Sequence, residues 1–197
     1  MAPRRREYNN DVVLFTVGHG TRSTAELADV VRSAGVGRVV DVRRHPGSRR
    51  QPHLSRDGLG HDLPPLGVGY EWWGEELGGR RRRASPSRHP AWRNQAFGAF
   101  ADHMDTEGFR RAFDLLLAGL ASAPPTAVMC AETLWWRCHR RLIADAAVLA
   151  GTAVVHILDE GKTAAHPLHP AVRVDEDGRP VYDVGAQLPL GPDGAER

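Results

Sequence analysis

The chain has 197 residues, 26 basic and 24 acidic residues, and a formal net charge of +2. This length suits one domain with its own core rather than two domains. No apolar run reaches the roughly 18 residues of a membrane-spanning helix, and two cysteines are too few for a disulfide framework. We therefore expect a soluble, cytoplasmic protein with no membrane partner.

Positive charge is concentrated in the first half of the chain. Residues 1–100 contain 17 arginines and 10 acidic residues, and Lys162 is the single lysine of the whole chain. Guanidinium groups suit the recognition of phosphate and carboxylate. Residues 1–10 are basic and lack an apolar segment, so we predict a disordered N-terminus without a secretory signal.

The first fifty residues predict a strand, a helix and a second strand. Residues 12–19 form an apolar run that ends in glycine, as a buried parallel strand does. Ser23 and Glu26 have the spacing of a capping box before an amphipathic helix that Gly35 ends. Residues 37–43 predict the next strand, and this order is typical of a parallel sheet.

A long segment rich in arginine, glycine and proline follows the second strand, from residue 43 to residue 94. Connections of this length in a compact domain are usually functional or partly disordered. Residues 67–73 could add a strand, and the four arginines at 80–83 predict an exposed loop that could contact a nucleic-acid backbone.

The second half returns to regular patterns. Residues 94–104 and 106–121 have helical spacing, and they are followed by a predicted strand, helix and strand up to residue 158. We predict that residues 11–160 form one α/β domain with an open, mostly parallel sheet flanked by helices, Rossmann-like, with a long insertion after the second strand. Residues 161–197 predict a loosely ordered acidic tail.

In such sheets the ligand site lies beyond the carboxyl ends of the strands. His19 and Arg22 follow the first strand, in a glycine-containing turn that could bind an anion or could be only a capped turn. Asp41 ends the second strand, where it could act as an acid or base, orient Arg43, or form an ion pair on a solvated loop. Glu132 follows the third buried strand and could act as a general base.

The segment VMCAETLWWRCHRR, residues 128–141, contains both cysteines. A phosphatase loop of the form Cys-x5-Arg starting at Cys130 would need arginine at position 136, which is Trp136. The spacing between the cysteines matches neither zinc knuckles nor thioredoxin-like pairs. Cys130 is interpreted as a small buried residue at the end of a strand. Cys138 lies near the start of the next predicted helix, where the helix dipole favours a thiolate. An irregular Cys/His/Glu metal or redox site is the alternative.

Four motifs resemble a known family. The segments TVGHGTRS, VVDVRRHPGSRR, LGVGYEWWGEELGG and MCAETLWWRCHRRLIAD are similar, in this order, to the bacterial and archaeal family domain of unknown function 488. The similarity spans about residues 13–160, and Gly20 stands where the family usually has serine. The resemblance implies an α/β fold and a shared site made of the motif residues, but it implies no particular reaction.

Two functions of different classes fit these residues. The first is an enzyme that cleaves or modifies a base of nucleic acid or of a nucleotide, with a role in DNA repair. His19 and Tyr70 would handle or stack the base, and the Trp72–Trp73 pair would support flipping of the base. The second is a non-catalytic module that binds a nucleotide or nucleic acid. The predicted catalytic residues are Asp41, Glu132, His19 and Cys138. The predicted binding residues are Arg22, Arg43, Arg44, Ser48, Arg49, Tyr70, His139 and Arg140. We predict no cofactor and no metal ligand, and a phosphorylated small molecule or nucleic acid as the partner.

Overall fold

A computed structural model describes residues 12–47 and 51–185, and its centre is a six-stranded sheet. In chain order the strands are β1 (Val13–Gly18), β2 (Arg38–Asp41), β3 (Gly69–Trp72), β4 (Thr126–Cys130), β5 (Ala153–Asp159) and β6 (Lys162–Ala165). Their order across the sheet is β3-β2-β4-β1-β5-β6. The first five strands are parallel, and β6 pairs antiparallel to β5.

Helices cover both faces of this sheet. They are α1 (Thr24–Ser33), α2 (Arg56–Asp62), α3 (Gly74–Leu77), α4 (Gln95–Met104), α5 (Glu107–Gly119) and α6 (Arg140–Leu149). Leu27 of α1 and Leu59 of α2 belong to one buried cluster, whereas Phe100, Leu116 and Leu142 of α4, α5 and α6 belong to another. The predicted single α/β domain with a mostly parallel, Rossmann-like sheet is confirmed.

The start of α1 follows from its sequence. The side chain of Ser23 accepts a hydrogen bond from the amide of Glu26, and the carboxylate of Glu26 accepts one from the amide of Ser23 at 2.7 Å. This capping box satisfies amide groups that have no partner inside the helix. Leu27, Val30 and Val31 then lie on the face that packs against the sheet.

The long segment after β2 is largely regular where the structure describes it. It forms a 3-10 turn at Pro52–Leu54, then α2, a second turn at Pro64–Leu66, and β3. The predicted additional strand is therefore present as β3, beside β2 at the edge of the sheet. Leu54, Leu59 and Leu63 are each at most 1% exposed, so apolar burial holds this segment on the sheet.

The described part of the predicted acidic tail contains strands. Beyond β6, the strands β7 (Val172–Val174) and β8 (Pro180–Tyr182) pair as an antiparallel ribbon. Tyr182 is fully buried against the α6 side of the core, which gives this segment an apolar contact that its charged sequence does not indicate. Residues 1–10 and 186–197, predicted to be disordered or loose, lie outside the described residues.

A chain of buried polar groups crosses the core beside β5. Thr16 Oγ1 lies 2.6 Å from His156 Nδ1, His156 Nε2 lies 2.8 Å from His166 Nδ1, and His166 Nε2 lies 2.9 Å from Asp145 Oδ1. The hydroxyl of Tyr182 donates to the other carboxylate oxygen of Asp145 at 2.9 Å. Donors and acceptors can be assigned consistently along this chain of hydrogen bonds. The chain connects β1, β5, the residue after β6, α6 and β8, and it satisfies polar groups that would be costly to bury without partners.

The order of the strands also determines where a crevice forms. The connection through α1 carries the chain from β1 to β2, and the connection from β3 to β4 brings it back to a position between them. Ligand sites of open α/β sheets lie where the strand order reverses, outside the carboxyl ends. Here this place is formed by the ends of β1, β2 and β4.

We expect the free energy of unfolding to fall as pH is lowered from neutral. Burial, and then the nearby charges of His166 and Arg140, lower the pKa of His156 from 6.5 to about 3. Between these values the unfolded chain binds a proton that the folded chain does not, so acid favours unfolding. Urea denaturation at about pH 4 should show a loss on the order of 3 kcal/mol from this group. NMR should show a neutral His156 ring there, and a ring titrating near its ordinary pKa would contradict this prediction.

Candidate functional site

A buried ion pair lies where β2 ends. Asp41 is fully buried, and its carboxylate accepts hydrogen bonds from Arg43 Nε at 2.9 Å and from Arg43 Nη2 at 2.6 Å. The backbone amide of Arg43 donates to the same carboxylate at 2.9 Å. Burial lowers the pKa of Arg43, but the hydrogen bond and charge of Asp41 outweigh burial, so the pKa is raised overall. Of the roles considered for Asp41 from the sequence, this geometry corresponds to the one in which Asp41 orients Arg43.

His19 and Tyr70 complete this buried cluster. Tyr70 donates its hydroxyl proton to Asp41 Oδ2 at 2.7 Å, and Arg43 Nη1 lies 2.9 Å from His19 Nε2. His19 Nδ1 donates to the carbonyl of Gly20 at 2.9 Å, which leaves Nε2 as the acceptor for Arg43. Burial, followed by the charge of Arg43, lowers the pKa of His19 to about 4. His19 is therefore neutral at physiological pH.

These four side chains hydrogen-bond to one another. His19 is 4% exposed, and burial together with the Asp41 charge raises the pKa of Tyr70. Tyr70 therefore keeps its proton and remains a donor to Asp41. The predicted catalytic roles of Asp41 and His19 stay predictions, and the geometry gives both residues a part in holding Arg43 in place.

Two further predicted arginines bind backbone carbonyls. Arg22 Nη1 donates to the carbonyl of Gly18 at 2.9 Å, and its Nη2 donates to that of Leu158 at 3.2 Å, so it joins the ends of β1 and β5. Arg140 is 1% exposed and donates to the carbonyls of Glu132 and Thr133. Arg140 thus holds the segment that follows β4, and ligand contact by either arginine stays a prediction.

Beside the buried cluster lies an open cavity of about 500 Å³. It is bordered by the residues after β2, α3 and β4 and by the segments that lead into α4 and α6. The lining residues are Arg43, Arg44, His45, Gly79, Arg80, Asn94, Ala96, Phe97, Cys130, Ala131, Glu132, Trp136, Arg137, Cys138 and His139.

The cavity is mainly cationic. Arg43, Arg44, Arg80 and Arg137 contribute guanidinium groups, and Glu132 is the single acidic side chain in the lining. Arg44 Nη1 donates to the carbonyl of Arg80 at 3.1 Å, which ties two sides of the wall together. Such a concentration of fixed positive charge attracts anions.

The four consecutive arginines at 80–83 do not form one solvated run. Arg80 and Arg82 are exposed, and Arg80 lines the cavity. Arg81 donates to the backbone carbonyls of Gly78 and Glu75, and Arg83 binds the carbonyl of His89 at 2.9 Å. Half of this run therefore has intramolecular contacts, and only the other half is available for a ligand.

Both cysteines and His139 meet at the cavity wall. His139 Nδ1 lies 3.8 Å from Cys130 Sγ and 3.7 Å from Cys138 Sγ. The hydrogen bond from Cys138, followed by the charges of His139 and Arg140, lowers the pKa of Cys130 well below its ordinary value, against the effect of burial. The same hydrogen bond, with burial, raises the pKa of Cys138. Cys130 is therefore the more acidic of the two thiols.

Gly18 allows the segment after β4 to approach β1. A Cβ atom at Gly18 would lie 2.1 Å from the carbonyl oxygen of Glu132. Gly20, with φ of +59°, has a conformation that other residues rarely adopt, and a Cβ there would lie 2.5 Å from Thr133 Oγ1. The glycines of the first motif are thus explained by close backbone packing.

The structure brings five predicted site residues to the cavity: Arg43, Arg44, Glu132, Cys138 and His139. Ser48 and Arg49 lie outside the described residues. Sequence reasoning missed Arg80, Arg137 and Cys130 as lining residues. The rule on strand ends points to Cys130, the last residue of β4, but its spacing to Cys138 fits no known motif. Among residues 12–47 and 51–185, no helix has the length and apolar character to cross a membrane.

Part of the chain matches a known protein family. Residues 23–147 match the model of the family described as Domain of unknown function DUF488. No curated protein and no solved structure matches the chain. The matched residues extend from before α1 into α6 and contain the ion pair of Asp41 with Arg43 and the complete lining of the cavity.

We expect Gly18→Ala to destabilise the protein and displace residues 131–133. The added methyl group would overlap a backbone oxygen that Arg140 holds in place, and overpacking of this kind costs about 1–3 kcal/mol. Chemical denaturation measures the loss. Gly108→Ala, at a helical position with open space around it, is the matched control and should leave stability unchanged or slightly higher. Equal stability of both variants would contradict the packing described.

Proposed function

The chain belongs to the family Domain of unknown function DUF488, and we propose that it is an enzyme that acts on nucleic acid or a nucleotide. The observation that carries the proposal is the arginine-lined cavity with the carboxylate of Glu132 in its wall. A volume of about 500 Å³ lies in the range of sites for small organic ligands. A role in DNA repair and a cytoplasmic location belong to the same proposal.

The guanidinium groups support phosphate as the bound group. Arg44, Arg80 and Arg137 come from three different segments of the lining, and Arg137 is exposed. Arginine binds phosphate through paired hydrogen bonds, which give orientation as well as affinity. A nucleotide or a nucleic-acid strand end would present its phosphate to these groups.

Aromatic side chains support a base as the other part of the ligand. Phe97 and Trp136 line the cavity, and Trp136 is 46% exposed. Bases stack on such faces without strong sequence preference. The predicted Trp72–Trp73 pair has other contacts, because Trp72 donates to the carbonyl of Arg43 at 2.8 Å and Trp73 donates to Glu71 at 3.0 Å.

Glu132 is our candidate for proton transfer. Its Oε1 accepts a hydrogen bond from the amide of Leu134 at 3.1 Å, which orients the carboxylate at the cavity wall. In hydrolysis of a base–sugar bond, Glu132 would take a proton from water. The water oxygen would bond to the sugar carbon as the bond to the base breaks and its electron pair goes to the base. The base anion would take up a proton from solvent, and Glu132 would release to solvent the proton that it took from water.

A non-catalytic module that binds the same ligands is the second candidate. Its support is that Asp41, Arg43, His19 and Tyr70 hydrogen-bond to one another. These side chains therefore have a structural role beside the cavity that requires no catalysis. Such a module needs the arginines but has no use for a proton acceptor at position 132.

We expect Arg137→Gln to weaken binding of nucleoside monophosphates and of a 5′-phosphorylated oligonucleotide. Loss of one charge-assisted hydrogen bond to phosphate should lower affinity about tenfold or more. Isothermal titration calorimetry measures the change. The control is Arg111→Gln on α5, whose partner is Glu107 at 3.2 Å and whose loss should leave affinity unchanged. Equal affinity of wild type and Arg137→Gln would contradict the proposed site.

Glu132→Gln should separate the two candidates. The amide keeps the oxygen that accepts from Leu134 but cannot take up a proton, so an enzyme should lose about 10²–10⁴-fold in rate while keeping its affinity. Mass spectrometry of nucleotide and oligonucleotide substrates measures product formation. Glu160→Gln, an exposed position after β5, is the control. Unchanged turnover by Glu132→Gln would rule out this proton acceptor, and absence of turnover by wild type on the panel would favour the binding module.

A further inference from the structure

We propose that Cys130, Cys138 and His139 bind one divalent transition-metal ion of the zinc type at the wall of the cavity. Their three candidate ligand atoms all lie within 4.8 Å of one another. The inference stands on the geometry of these side chains and does not require that the cavity bind a nucleotide. Thiolate sulfur and imidazole nitrogen are the ligands that zinc prefers, and the bound ion would displace the remaining thiol proton into solvent.

The distances fit a tetrahedral ion. With zinc–sulfur bonds of about 2.3 Å and zinc–nitrogen bonds of about 2.0–2.1 Å, nitrogen and sulfur ligands are separated by roughly 3.6 Å. His139 Nδ1 lies 3.8 Å from Cys130 Sγ and 3.7 Å from Cys138 Sγ. Both nitrogen–sulfur distances therefore match those of a zinc site to within a few tenths of an ångström.

The imidazole has the orientation of a metal ligand. His139 Nε2 lies 3.1 Å from the carbonyl oxygen of Val42, so this nitrogen carries the proton and donates it. The lone pair of Nδ1 then points to the side of the two sulfurs. Histidines that bind metals usually donate their second ring nitrogen to a backbone carbonyl or carboxylate in this way, which fixes the tautomer.

Rigid elements hold the three residues. Cys130 ends the buried strand β4, and a 3-10 turn at Trp135–Arg137 brings Cys138 and His139 back to it. Arg140 fastens the intervening backbone through the carbonyls of Glu132 and Thr133. The sequence separation that fits no zinc motif is thus closed by the fold.

The fourth position of the ion would face the cavity. Both cysteines and His139 line it, and a Cβ atom at Gly79 would lie 3.0 Å from His139 Nδ1, so any other residue at position 79 would crowd this nitrogen. Sites with three protein ligands and one open position bind water or a substrate group, whereas structural zinc sites have four protein ligands. The geometry therefore points to an ion that is accessible to the ligand of the cavity.

The test is metal binding by the full-length protein purified under reducing conditions. We expect about one equivalent of zinc by mass spectrometry, and, after exchange, the visible bands and sulfur-to-cobalt charge-transfer absorption of tetrahedral Co²⁺ with two thiolates. Cys138→Ser and His139→Gln should each reduce zinc affinity by more than the roughly 10–100-fold that loss of an outer contact costs. His61→Gln, an exposed histidine on α2, is the control and should bind as wild type does.

Three results would overturn the proposal. One is wild-type protein that stays metal-free after incubation with zinc while both thiols react with a thiol reagent. The second is a Cys130–Cys138 disulfide that, once reduced, still leaves no zinc bound. The third is cobalt absorption that persists in Cys138→Ser. Circular dichroism checks that each variant folds, and the cobalt titration of wild type needs no variant.

The failure of this inference is distinguishable from failure of the proposed function. Arg137→Gln should bind zinc normally, because Arg137 is no ligand in the proposed site. Zinc binding without any effect of Arg137→Gln on nucleotide affinity would remove the nucleotide proposal alone. Nucleotide binding by protein that binds no zinc would remove the metal proposal alone.

Discussion

The ion pair of Asp41 and Arg43 connects the ends of β1, β2 and β3 beside the cavity. Burying two charges costs several kcal/mol for each ion, and this cost is offset only where the geometry is good and the remaining hydrogen-bond groups are satisfied. Both conditions hold here: Asp41 accepts from Arg43 and Tyr70, and Arg43 also donates to the carbonyl of Leu54 at 2.8 Å. The ends of β2 and β3 and the turn at Pro52–Leu54 are therefore fixed relative to one another, and His19 adds the end of β1.

Most of the buried polar groups near the carboxyl edge of the sheet hydrogen-bond within the protein. On one side, the chain from Thr16 to Asp145 uses its hydrogen bonds internally. On the other side, Arg22 and Arg140 use theirs on backbone carbonyls at the ends of β1, β4 and β5. The cavity lies beside these groups, and Arg80, Arg137 and Trp136 of its lining are exposed.

Elements with a strong local signal could be predicted from the sequence. The capping box of Ser23 and Glu26 and the apolar spacing of α1 determine that helix by themselves, and the alternation of strands and helices implies a parallel sheet. The tail could not be predicted in this way, because β6 and Tyr182 are stabilised by distant partners on β5 and α6. Tertiary contacts here override a charged, proline-containing local sequence.

The sequence predicts where the candidate site lies, at the carboxyl ends of the strands. It does not predict which of the residues there are buried and which line the cavity. The rule on strand ends selects Asp41, His19 and Glu132 alike, yet only the fold shows that Asp41 and His19 face inward while Glu132 faces the cavity. Arg140 looks like a phosphate ligand in sequence and is fully buried in the structure, since burial of an arginine depends on carbonyls supplied by the neighbouring segment. Cys130 could not be recognised as a site residue from the sequence, because the turn at Trp135–Arg137 is what brings Cys138 and His139 next to it.

The cations of the cavity are four arginines, without a lysine. A guanidinium group keeps its proton throughout the pH range in which proteins are stable, so these groups act as a permanent positive wall. A phosphate monoester, by contrast, gains its second negative charge near pH 6. The charge of these arginines is therefore constant between weakly acidic and weakly alkaline solution. A change with pH in how strongly they bind a phosphate monoester would come from ionisation of the phosphate.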